Sequence, residues 1–171
     1  IRYNDIIGNS KDGIRAESAG IPQIMFNDIF DNNRNGVYVS NNAIATVENN
    51  NILRNLGDGV SIDNSNSIIR YNDVELSGSN GIALQNSNAS VYENEIINNT
   101  ANGISVTGYS EPEIYDNARI FYNRANGIRL DGEGKADITR NTIRYNVKDG
   151  ISSYGAAPDV YENNITDNRD D

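Results

Sequence analysis

Five carboxylates recur at intervals that would set them side by side if the chain repeats. Asp73 and Glu75 are followed by Glu93 and Glu95, and then by Asp116. Crowded carboxylates repel unless a cation bridges them, and calcium takes several oxygen ligands in flexible geometry. These five are the candidate calcium ligands; the competing reading is a solvated acidic face. Tyrosines recur in the same way. Tyr92, Tyr115 and Tyr161 would share one column, with Tyr3, Phe26 and Tyr71 in the column beside it, and Tyr122 and Tyr145 would share another. Flat aromatic platforms suit the apolar faces of sugar rings, with Asn and Asp supplying hydrogen bonds. The competing reading is stacking that only stabilises a sheet. Arg15 with Glu17, and Arg129 with Asp131, lie on one face of a strand if the chain is extended there. No facing cluster of acids and bases gathers around either, so both read as solvated ion pairs.

Such columns exist only if the chain has a period, and it has one. Glycines preceded by Asn or Asp and followed by Ile or Val fall at Gly13, Gly36, Gly59, Gly81, Gly103, Gly127 and Gly150, at spacings of 22 to 24 residues. A single Asn-Gly between apolar stretches signals a hairpin. A pattern that restarts every coil length signals a solenoid instead. Two Asn columns keep the same period. The first is Asn4, Asn27, Asn50, Asn72, Asn94, Asn117, Asn141 and Asn163. The second is Asn9, Asn32, Asn55, Asn99, Asn123, Asn146 and Asn168, with Ser77 in the one exceptional place.

The expected fold is all-β: a single right-handed parallel β-helix over residues 1–171, about 7.5 rungs of 22–24 residues with three short strands each. Inward apolar residues such as Ile104, Val106, Ile114 and Ile120 would form the core. Inward Asn side chains would stack as ladders. The glycines are expected at corners that need a positive φ. A second stripe, Ile7, Phe30, Leu53, Ile97 and Phe121, falls on the outward face and reads as a partner surface.

Composition fits a thin core. Only 37% of the 171 residues are hydrophobic, and the net charge is −10. That charge argues against nucleic acid and against anionic membrane, and no apolar run reaches spanning length. There is no Cys and no His, which removes thiolate chemistry and the commonest general base. No cofactor is expected apart from calcium.

The motif N-x-I-x-x-N-x-x-x-G-I, as in "NDIFDNNRNGV" and "NTIRYNVKDGI", resembles the parallel β-helix repeat family. That group is also described as carbohydrate-binding and sugar-hydrolase repeats, and it includes periplasmic copper-binding NosD-like proteins. The resemblance implies the fold along the whole chain. Its members include polysaccharide lyases, epimerases and hydrolases, as well as non-catalytic surface proteins. Copper is disfavoured here by the missing His and Cys and the single Met25.

The repeat runs in phase to both ends without a capping helix. The expectation is therefore either neighbouring rungs of a longer chain or end-to-end or lateral contact with another copy. The leading functional expectation is a non-catalytic structural or adhesive segment, extracellular, at the cell surface or periplasmic. The alternative is a polysaccharide-binding or polysaccharide-processing module.

Overall fold

The structure is a computed structural model that describes residues 1–170. Its strands are all parallel and form three sheets, of seven, eight and seven strands. One coil shows the plan. Gln23–Met25 belongs to the first sheet, Asp28–Phe30 to the second and Val37–Ser40 to the third. Each strand pairs only with its equivalents in the coil before and the coil after. The inter-strand hydrogen bonds therefore run along the solenoid axis, and the Asn-Gly segments do not make hairpins. Among the described residues no helix is long and apolar enough to cross a membrane.

Alternation along each strand sends every second side chain inward. Ile24, Val47, Ile69, Val91, Ile114 and Ile138 stack in the first sheet. Ile52, Val74, Ile96 and Ile120 stack in the second, and Val60, Ile82, Ile104 and Ile128 in the third. All of these are fully buried. Each such side chain contributes about 1.5–3 kcal/mol on burial. A few per coil suffice because every one is packed between two copies of itself.

The strands are short because the chain turns left-handed at their ends. The residue after each first-sheet strand has positive φ: Phe26 at 55°, Asn49 at 53°, Tyr71 at 54°, Glu93 at 53° and Asp116 at 54°. A second set follows the second sheet, with Asn98 at 57°, Tyr122 at 57° and Tyr145 at 58°. A non-glycine residue there costs about 1–2 kcal/mol. The Asn that comes next offsets the cost by satisfying the groups the corner leaves unpaired. Asn50 donates from its backbone N and from Nδ2 to Oδ1 of Asn72, both at 3.0 Å. Its Nδ2 also donates to the carbonyls of Ile24 at 2.9 Å and Glu48 at 3.1 Å. The second column repeats this, as in Asn123 to Asn146 at 3.0 Å.

The glycines have a different reason from the one expected. Gly103 does not have a positive φ, nor do its equivalents. A Cβ on Gly103 would lie 2.6 Å from the Gly127 carbonyl, 2.6 Å from Cγ2 of Ile120 and 2.8 Å from Nδ2 of Asn123. The position is small because the next coil and the ladder fill the space, not because the backbone is twisted. The residues before these glycines form a third ladder. Asn126 donates to Oδ1 of Asn102 at 2.9 Å, and Asn102 to Oδ1 of Asn80 at 3.0 Å. It runs from later coil to earlier, opposite to the first two.

Candidate functional site

The five carboxylates do not converge. Asp73 and Glu95 are register partners on the second sheet. Glu95 accepts from Arg119 at 2.8 Å. Glu93 and Asp116 sit at the left-handed corner instead. Arg140 grips Asp116 through two bonds, at 2.7 and 2.9 Å. The Arg140 guanidinium holds the Asp116 carboxyl below the usual carboxylate range. Glu75 pairs in register with Leu53 and Ile97, within the apolar stripe. Among the described residues no three acidic side chains come together as a cation site.

The tyrosines form two pairs rather than one row. Tyr92 and Tyr115 stack with ring centroids 4.8 Å apart and planes 9° from parallel. Tyr161 is in register with Thr139, and Thr139 with Tyr115, so a threonine separates Tyr161 from the pair. Arginines close this pair at both ends. Arg70 donates to the Tyr92 hydroxyl at 3.0 Å and to Glu48 at 2.9 Å, with its guanidinium 5.9 Å from the Tyr92 ring centre. Arg140 stands 6.0 Å from the Tyr115 ring centre. Burial and the neighbouring Tyr92 raise the Tyr115 phenol above its ordinary range. Tyr71 meets Tyr92 edge-on, and its own phenol is raised by the hydrogen bond to Glu93.

The second pair is more open. Tyr122 and Tyr145 stack at 5.1 Å and 11°, and both are exposed. Phe121 packs edge-on against each at 6.1 Å and holds them in place. Asn98 occupies the same corner one coil before, and Asp167 the same corner one coil after. The two rings cover each other's inner faces, so the platform they offer consists of their exposed edges and the two outer faces that look along the axis toward the corner positions of Asn98 and Asp167. Of the five tyrosines singled out from the sequence, these two form the stacked pair that is exposed and, among the described residues, has no guanidinium over its rings.

The outward stripe is less exposed than alternation suggests. Ile97 is only 4% exposed, and Phe30, Leu53 and Phe121 are half-covered. Arg54 lies 5.8 Å from the centre of Phe30, and Arg119 lies 5.7 Å from that of Phe121. Ile7 in the first coil stays exposed, while Phe30 and Phe121 are partly covered by long charged side chains. Arg15 bonds Glu17 at 2.7 Å and Asp12 at 3.0 Å, and Arg129 holds Asp131, so both pairs are the surface ion pairs expected.

Comparison with known proteins agrees with the architecture. The family described as right handed beta helix region matches residues 1–118. No curated protein matches the sequence. Three solved structures of the periplasmic alginate epimerase AlgG share the fold. A single-residue mutant gives a TM-score of 0.90 at 18% identity over 96% of this chain. A double mutant gives 0.87 at 18% identity over 96%, and the unmutated enzyme gives 0.86 at 17% identity over 94%. The chain spans 44% of the length of those structures.

Proposed function

The chain belongs to the right-handed beta helix family, and from that premise we propose that it is a polysaccharide-binding β-helix that holds a glycan rather than cleaving it. The Tyr122–Tyr145 platform carries the reading: two parallel, exposed rings braced by Phe121, with Asn98 and Asp167 at its ends. Aromatic rings offer sugars a large contact area at low conformational cost. The fold's likeness to an enzyme named for alginate supports polysaccharide as the ligand class. Binding is favoured over catalysis because the arginines beside the acids are already committed, Arg70 to Glu48, Arg119 to Glu95 and Arg140 to Asp116. The same reading puts the protein outside the cytoplasm, in the periplasm or at the cell surface.

Affinity electrophoresis through gels cast with single polysaccharides tests this. The protein should be retarded in at least one gel, and Tyr122→Ala with Tyr145→Ala should run as freely as in an empty gel. Retardation unchanged by the double substitution would remove the platform from the account.

A further inference from the structure

The connection from the third sheet back to the first comes in two lengths. Ser40, Asp63, Gln85 and Thr107 are register partners, and so are Thr46, Ile68, Ser90 and Glu113. Between them lie five residues (41–45), four (64–67), four (86–89) and five (108–112). Two short turns are therefore flanked by two longer ones. The step leaves a notch of about 310 Å³, within the size range of small-ligand sites. Asn64, Asn66, Asn86 and Asn88 line it, with Ile44 from one long turn and Tyr109 from the other. Ile44 is 50% exposed and Tyr109 is 73% exposed.

Three of these four amides, those of Asn66, Asn86 and Asn88, are fixed in orientation by the next coil. Oδ1 of Asn66 accepts from the Asn88 backbone N at 2.9 Å. Oδ1 of Asn86 accepts from the Tyr109 N at 3.2 Å, and Oδ1 of Asn88 from the Glu111 N at 2.8 Å. With their oxygens engaged by the next coil, these three amides have their Nδ2 hydrogens left to donate, whereas Asn64 already gives one to Asp63 at 2.6 Å. Asn66 and Asn88 occupy successive coils, ~4.8 Å apart, close to the length of one pyranose ring in a chain. The notch offers uncharged donors, so it suits a ligand rich in acceptor oxygens. Asp63 and Glu111 stand at its margin in a chain of net charge −10, which disfavours carboxylated sugars.

We propose that this amide-lined notch is a second binding site, for a neutral polysaccharide laid across the two short turns with one ring against Tyr109. It rests on the reading above for the class of ligand, but not on the Tyr122–Tyr145 platform, which stands at another corner of the coil.

Titration calorimetry with soluble galactomannan and arabinoxylan, and with polygalacturonate as the charged counterpart, tests the site. Asn66→Asp and Asn88→Asp keep the oxygen that the next coil's N–H needs while removing the donor and adding charge. Each should weaken binding of a neutral polymer roughly tenfold or more, as should Tyr109→Ala, with circular dichroism unchanged. Polygalacturonate should bind more weakly than the neutral polymers. Binding lost in Tyr122→Ala with Tyr145→Ala but kept in all three notch variants would overturn the notch alone. Loss in the notch variants but not in the platform variant would uphold the notch and overturn the platform. Tighter binding of polygalacturonate would overturn the neutral class, and a wild-type protein that binds none of the polymers would overturn both sites.

Discussion

Ser77 stands where the second column lacks an amide. Its backbone N still donates to Oδ1 of Asn99 at 2.9 Å, but its buried hydroxyl has no partner. From Asn32 onward, every Asn of this column also offers an Oδ1 to the coil before. Ser77→Asn should therefore restore a ladder bond to Asn55 and raise stability by about 1 kcal/mol; urea unfolding that shows no gain would mean the cavity cannot admit the larger side chain. The Asn-Gly pairs should resist deamidation, which needs the glycine nitrogen to attack the asparagine side chain. The nitrogens of Gly81, Gly103 and Gly127 are each bonded to a carbonyl of the next coil at 3.0 Å. Mass spectrometry after mild alkaline storage should show slow conversion at Asn80, Asn102 and Asn126 when folded and fast conversion in urea. The two main Asn columns were legible in the sequence because an inward polar residue must repeat to find partners. The glycines' purpose was not, because it depends on how closely the next coil approaches.

Along a single strand column, like charges meet. Partial burial and the adjacent Glu95 raise the Asp73 carboxyl above its ordinary range, while Arg119 pulls it back. A carboxyl with a raised folded pKa imposes no penalty below its unfolded value of 3.8, and the full penalty above its folded value. Asp73→Asn should thus raise the melting temperature slightly at pH 7 and leave it unchanged near pH 3; an equal gain at both would assign the effect to packing. Asp31 and Asp116 behave oppositely. Hydrogen bonds from Arg54 and Arg140 lower them, so their contribution is present above the ordinary range and fades as pH falls through the folded value. Both pairs are exposed, which keeps that contribution small. At this scale columns could be read from spacing, but contacts could not. Period placed Tyr92 beside Tyr115, yet Arg70 and Arg140 reach across from the neighbouring coils to close the pair. Nor could it locate the notch, because a four-residue turn differs from a five-residue one only when the strands on both sides are in register.

The whole molecule is one pattern applied repeatedly, which is why its fold could be read from spacing while its ligand could not. The residues that set the period, Ile, Asn and Gly, are all occupied inside the coil. The residues free to vary are outside, where each coil differs from the next. Contact is confined to adjacent coils, so the solenoid approximates a linear chain of nearest-neighbour terms. The axial direction of its inter-strand bonds has a mechanical consequence. Drawn apart by its two termini, the chain loads one coil's bonds at a time, and each loss lets the next coil peel. Every coil of ~23 residues would release roughly 80 Å of slack. Single-molecule stretching should record a staircase of similar small steps; one large rupture would mean that the coils yield together. Pulled across its axis instead, the same molecule would share the load among many rows of bonds and behave as a stiff rod, so its strength is a matter of where it is held.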